Sequence, residues 1–421
     1  MNWPRVMIWG GFALVLLLAP QVFGSSLAVS MLSQMGIAII ACLSYNMLLG
    51  HGGMLSFGHA VYSGLGSYFA IHALVRMGEG GLSWLPVSLL PIVGGLAGLF
   101  FAALFGWVST RRAGTTFAMI TLGMGELVFA MSLMFSEFFG GEAGISADRV
   151  VGDPVMGISF GPTIQVYYLI ALYTFVCVAL MFAFTRTPLG RILNAVRDNP
   201  ERVEFIGYNT QWVRYLAFMI SGFFAGVAGG LGAILFEIVT AEVVGAHRSG
   251  AYLLFTFLGG ATVFFGPIIG GVLMVLAIVW MSELTQAWLL YLGLVFLLMV
   301  MYAPGGLAAI VMHNVRVASH GMLKVLLPNY LMLGAALLVL LAGSGALIEM
   351  IYHLQLNAAM SDTLRFAGLT LNVRSPAHWL GAAAVALAGL GLLHVARQRF
   401  MQVWGMVQSL IDKKTLEAQA S

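Results

Sequence analysis

Residues able to do chemistry are scarce in this chain, since only 8% of its side chains are Asp, Glu, Lys or Arg, so where they cluster is informative. From Arg186 to Arg214 the run RTPLGRILNAVRDNPERVEFIGYNTQWVR holds five arginines (186, 191, 197, 202 and 214) and three acids, Asp198, Glu201 and Glu204. So dense a charge must lie in water. Away from it, Glu126 in TTFAMITLGMGELVFAMSL stands deep inside an apolar run, and an intramembrane carboxylate is a functional candidate by default. It lacks the companion acids, histidines or lysines that an ion-coupling relay needs. Gly157-Ile-Ser-Phe-Gly161 matches the G-x-S-x-G pattern of a hydrolase elbow. That motif needs a strand before it and a helix after it, whereas here it follows Asp153-Pro154 in a loop, so no residue is assigned a catalytic role. Cys42 and Cys177 lie in apolar runs far from other ligand types, which points to packing and to no metal site. No G-x-x-x-x-G-K-[ST] phosphate loop occurs, so any ATPase is a separate polypeptide.

The elements that must position these residues are membrane helices. The chain has 421 residues, 60% of them hydrophobic, with 52 glycines and a mean hydropathy of +0.96. Several apolar runs reach the length of about 20 residues that crosses a bilayer, and the glycines suit close helix packing in lipid. The net charge of +3 gives no sign of a nucleic-acid partner. The predicted fold is an all-α polytopic membrane protein. Ten ordinary spans are expected: an uncleaved first one near the N-terminus, then about 28–50, 57–77, 85–109, 115–135, 164–185, 214–236, 286–303, 329–349 and 378–396. Residues 251–281, interrupted by Gly259-Gly260, Gly266-Pro267 and Gly270-Gly271, are too long for one span and read as a broken or re-entrant element entering and leaving on one side. Cytoplasmic loops hold the excess of Lys and Arg. Placing Arg5, Arg111-Arg112, the 186–214 loop, Arg316 with Lys324, and the tail with Lys413 and Lys414 inside leaves the acidic loop 136–163 outside. Both termini are then cytoplasmic.

Within the charged loop, Thr187 with Pro188 and Asn199 with Pro200 read as two helix starts, and Gly207 as a stop. Leu189, Ile192, Leu193 and Val196 make one apolar stripe, with Arg191, Asn194 and Arg197 turned away. The expectation is a docking element whose stripe buries against a cytosolic partner. The segment LLGHGGMLSFGHAVYSGLGSY, residues 48–68, is the kind of irregular backbone that lines a cavity in transporters. Gly50, Gly53, Ser56, His59 and Tyr62 are its pathway candidates, joined by Glu126 and by Gly259, Gly260, Gly266 and Pro267 of the second glycine-rich break.

Three segments carry a resemblance: NMLLGHGGMLSFGHAVYSGLGSY, then TPLGRILNAVRDNPERVEFIGYNTQWVRYLAFMISGFFAGVAGGLGAIL, and finally FLGGATVFFGPIIGG followed by YAPGGLAAI. In order and spacing they resemble the LivM-like permease subunits of the branched-chain amino acid family of bacterial ABC importers, over about residues 28–312. The resemblance implies that Pro188, Leu189, Gly190, Arg191, Ile192, Val196, Arg197, Asp198, Asn199, Glu201 and Gly207 form the coupling loop seated on an ATPase. It further implies two ATPase subunits that use ATP and Mg, a second permease in a heterodimer, an external substrate-binding protein, and an inner-membrane location. This chain itself would bind no cofactor, and its substrate would be a branched-chain or related amino acid, or a small amide such as urea. Residues 313–421 depart from the family pattern and read as an extension with about two further spans and a cytoplasmic tail. The competing reading is a self-sufficient secondary transporter or channel for a small polar solute, which needs a charged relay or filter not visible beyond Glu126.

Overall fold

The computed structural model describes residues 3–82, 84–151, 159–356, 362–366 and 368–420, with backbone alone at 3–6, 356 and 412–420. Asp153, Pro154 and Gly157, and the side chains of Arg5, Lys413 and Lys414, lie outside what is described. The described chain divides into two compact units, residues 1–279 with 296–309, and residues 280–295 with 310–421.

The first unit opens with α1 (Trp3–Val22) and α2 (Ser26–Gly52). Ser25 starts α2 by accepting a hydrogen bond from Ala28 N at 3.2 Å, and Gly53, at φ 63°, ends it in the left-handed conformation that favours glycine. An irregular stretch follows before α3 (Ala60–Gly78). Then come α4 (Leu90–Ser109), α5 (Thr115–Met134), the short α6 (Ser136–Phe139), β1 (Ile145–Ser146) and α7 (Thr163–Arg186). The charged loop folds as α8 (Pro188–Asp198) and α9 (Pro200–Phe205), and α10 (Thr210–Phe236) returns through the unit. A second strand, β2 (Ile238–Val239), pairs antiparallel with β1 through Ile145↔Val239 and Ser146↔Ile238. Two half-length helices, α11 (Ala246–Gly259) and α12 (Gly266–Leu276), follow.

Helices α2 and α10 are apolar on all sides and buried along most of their length, as central helices of a membrane bundle are. A close seam joins α10 to α4. A methyl group on Gly94 would lie 2.6 Å from the Gly226 carbonyl oxygen, so the backbones touch as small-residue motifs allow in lipid.

The predicted break in 251–281 is present. Helix α11 ends at Gly259, Gly260 takes φ 115°, and α12 starts again at Gly266. The expected ordinary span at 286–303 differs: α13 (Ser282–Leu284) and α14 (Trp288–Tyr302) lead to a second break, where α15 (Gly306–Ser319) is bent 53° from α14. Ala303-Pro304-Gly305 cannot continue a helix, because proline lacks the donor and the ring crowds the preceding turn.

The second unit is a long antiparallel pair, α16 (Leu323–Leu356) and α17 (Pro376–Ala420), with the hairpin β3 (Thr363–Phe366) and β4 (Leu369–Asn372) between them. Both helices outrun the predicted 329–349 and 378–396. Gly343 packs on Ala386 and Gly389 on Leu340, while Val317, Leu326, Val407 and Ile411 form an apolar core further along the pair. Among the described residues, eight helices are long and apolar enough to cross a membrane, or nine if the bent pair α14–α15 is one span. The expected set of about ten also counted α1 and α3. The fold is an all-α polytopic membrane protein.

Candidate functional site

The docking loop is built by its caps. Thr187 Oγ1 accepts from Gly190 N at 3.2 Å and starts α8, while Asn199 Oδ1 accepts from Arg202 N at 3.1 Å and starts α9. Gly207, at φ 94°, turns the chain back toward α10, whose own start is capped by Asn209. All three punctuation marks fall where the sequence placed them.

The stripe of α8, by contrast, is covered by its own chain. Leu193 and Val196 are fully buried, and Leu193 lies against Gly52 at the end of α2. His51 Nδ1 meets Asn194 Oδ1 at 3.1 Å, and Arg197 donates from NH1 to the carbonyl of Gly50 while its stem covers Gly53. The expectation that Val196 buries against a partner is corrected here: it is buried within its own chain, where α8 lies against α2, α7 and α10, and Leu189 and Ile192 are already half-buried. What the loop leaves in the open is Arg191, Asp198, Glu201 and Arg202, together with Phe205, Ile206 and Tyr208. Phe205 and Ile206 are 88% and 75% exposed. Sequence reasoning passed over both, because neither belongs to the stripe.

Directly beyond Gly53 the chain is irregular as far as His59, and the surrounding helices satisfy it group by group. Tyr45 donates to the Ser56 carbonyl at 2.9 Å, Phe57 N donates to Thr121 Oγ1 of α5 at 3.2 Å, and Ala60 N donates to Ser249 Oγ of α11 at 3.0 Å. His59 Nε2 meets Ser44 Oγ at 2.9 Å. This is how non-helical backbone survives away from water. His59, Ser56 and Tyr62 are buried, and His59 Nδ1 and Ser56 Oγ have no hydrogen-bond partner among the described residues.

The pathway candidates thus separate. Gly50 and Gly53 belong to the seat of α8. Gly259, Gly260, Gly266 and Pro267 form the α11–α12 turn, which reaches the same end, since Gly50 packs against the backbone of Ala261. Ser56, His59 and Tyr62 form the deeper break. Glu126 is brought to none of these: it is exposed on α5, on one face with Met119, Leu122, Gly123 and Ala130.

A further set went unread in the sequence. Helix α11 starts beside the break, and its first turns carry Arg248, Ser249 and Tyr252 against α3. The chain reaches α11 from the far end of α10 through residues 237–245, which turn back into the bundle so that Val243 and Val244 meet Gly64 of α3. Arg149 fastens that turn. It contacts Glu237 at 3.4 Å and donates to the carbonyls of Phe160 (2.7 Å), Gly161 (3.0 Å) and Leu235 (3.3 Å). No role is assigned from the sequence to His247, Arg248 or Tyr252 in the tract AHRSGAYLL. A cation followed four residues later by Tyr was the available signal.

No group of metal-ligating side chains occurs among the described residues. Ser159 Oγ accepts only from Gly161 N, at 3.4 Å, with no base hydrogen-bonded to it among the described residues. What the described residues build is a helical seat joined to an interior break in the helices.

Comparison with known proteins agrees with this. The family described as the permease component of branched-chain amino acid transport systems matches residues 27–304. The high-affinity branched-chain amino acid permease protein LivM of Salmonella typhimurium is 29% identical over 292 residues, covering 64% of this chain and 67% of that protein. LivM of Escherichia coli is 29% identical over 298 residues with the same coverage. The permease protein BraD of Pseudomonas aeruginosa is 24% identical over 245 residues, covering 56% of this chain and 75% of BraD. No solved structure gives a significant match.

Proposed function

This chain belongs to the permease-component family of branched-chain amino acid transport systems, and from that premise we propose that it is the membrane-spanning subunit of an ATP-driven importer of branched-chain or related amino acids. Permeases of this kind associate with ATPase and substrate-binding partners in the inner membrane. The finer assembly belongs to the proposal: two ATPases in the cytosol, a second and similar permease beside this one, and a binding protein on the opposite side. In this reading the end carrying α8 faces the cytosol, which the arginines of the loop support.

One observation carries the mechanism. Helix α8 is bonded through Asn194 and Arg197 to the last turn of α2, and that turn runs straight into the irregular stretch that ends at His59. A push on the loop therefore reaches the interior break along a single length of chain. Contact with the ATPase falls to the exposed part of the loop, led by Phe205 and Ile206. Burying such side chains is worth roughly 1.5 to 3 kcal/mol each, against about 0 to 1 for an exposed ion pair, so these two outweigh the arginines around them.

The test is co-purification of the ATPase with this chain. Replacing Phe205 and Ile206 together by Asp should release it from a stably inserted permease, while Arg191→Ala should do less. Full retention of the ATPase by the double variant would refute the docking assignment.

A further inference from the structure

Between α2, α3, α10 and α11, beneath the turn 237–245, lies a cavity of about 30 Å³ whose polar wall is Ser63, Ser67, Arg248 and Tyr252, with Ile37 and Val243 on its apolar side. Arg248 is the uncommon member. Its Nε donates to Tyr252 Oη at 3.3 Å, and its guanidinium carbon stands 5.9 Å from the centre of that ring. The two terminal nitrogens have no hydrogen-bond partner among the described residues. Tyr252 is held in turn by Ser63, at 3.4 Å. Ser67 already donates to the Gly229 carbonyl at 2.9 Å, so the free hydrogen-bonding capacity of this wall is mostly cationic donor.

A guanidinium inside a membrane bundle is costly unless an anion meets it. No carboxylate among the described residues is hydrogen-bonded to it; the nearby acid, Glu242, lies exposed on the turn. Arg presents parallel N–H donors matched to the two oxygens of a carboxylate. Arg248 also sits in the first turn of α11, where the helix dipole favours negative charge. At about 30 Å³ the cavity is small, suited to one end of an amino acid rather than to the whole molecule.

We propose that Arg248 holds the carboxylate of the transported amino acid in passage, with Tyr252 fixing the guanidinium plane and Ser63 and Ser67 completing the polar wall. This rests on the importer reading above and gives that reading a substrate contact. It also places the contact beside the break, because Ser249, the next residue, is the acceptor for Ala60 N.

The experiment uses the whole complex in vesicles with binding protein and ATP, and reads radiolabelled L-leucine carried per ATP hydrolysed. Arg248→Gln should lower that ratio by at least about tenfold, the scale of a lost charged hydrogen bond, while hydrolysis stimulated by the binding protein persists. Arg248→Lys should recover part of the ratio, keeping the charge but not the paired geometry. An unchanged ratio in Arg248→Gln overturns the proposal. Equal loss of hydrolysis and uptake in both variants also overturns it, by showing a structural role. Absence of ATP-driven uptake of any amino acid by the unaltered complex would instead overturn the importer reading itself, and the proposal with it.

Discussion

Glu126 sits in the middle of α5 on a face the chain leaves uncovered, and a carboxylate turned to lipid there would cost several kcal/mol. Among the described residues it has neither an ion pair nor a hydrogen bond, and no relay runs from it through them. Its face suits the second permease of the proposed pair, which would shield it. Glu126→Gln should therefore lower uptake without changing what drives it. Vesicles supplied with ATP, or with a proton gradient alone, make the comparison; uptake from the gradient alone would favour the secondary-carrier reading. Arg197 is the residue through which the loop grips α2. Arg197→Ala removes the donor to the Gly50 carbonyl and the stem over Gly53, and it should leave the ATPase bound while at least about halving uptake per ATP. A variant that transports normally would show that the grip is not the route of coupling.

At the level of elements, what could be read from the sequence was what local chemistry decides. Thr187-Pro188, Asn199-Pro200 and Gly207 set the bounds of α8 and α9 because capping and left-handed glycine need only neighbouring residues. The breaks at Gly53 and at Gly259-Gly260 were legible for the same reason. The bend at Ala303-Pro304-Gly305 carried the same kind of signal and was passed over inside an apolar run. What escaped was everything requiring a partner across the bundle. An apolar stripe says that Leu193 and Val196 are buried, but not that neighbouring helices of the same chain bury them. Gly50 looked like part of a pathway, and is a seat for Arg197. Arg248 was invisible as a site because Ser63 and Ser67, which share its cavity, stand far away along the chain.

The molecule as a whole is two compact units, and the family match at residues 27–304 falls mainly on the first. The second unit holds itself together by its own contacts: Gly343 on Ala386, the Val317–Ile411 core, and Tyr291 donating to Glu349 at 3.2 Å. Glu349, near one end of α16, is a second carboxylate in an apolar helix, and the sequence reading did not weigh it. The exposed docking residues all lie in the first unit. A chain ending at Ser319 should therefore still co-purify with the ATPase when stably inserted, and loss of the ATPase from that truncation would give the extension a share in docking.

The clasp made by Arg149 has a consequence in time rather than in space. One guanidinium holds Phe160, Gly161, Leu235 and Glu237 together, so freeing the turn above Arg248 means giving up every contact of a single side chain. If solute in the proposed import passes on that side, breaking those contacts adds to the enthalpy of opening, and cooling should slow uptake more than it slows the diffusion that brings solute to the turn.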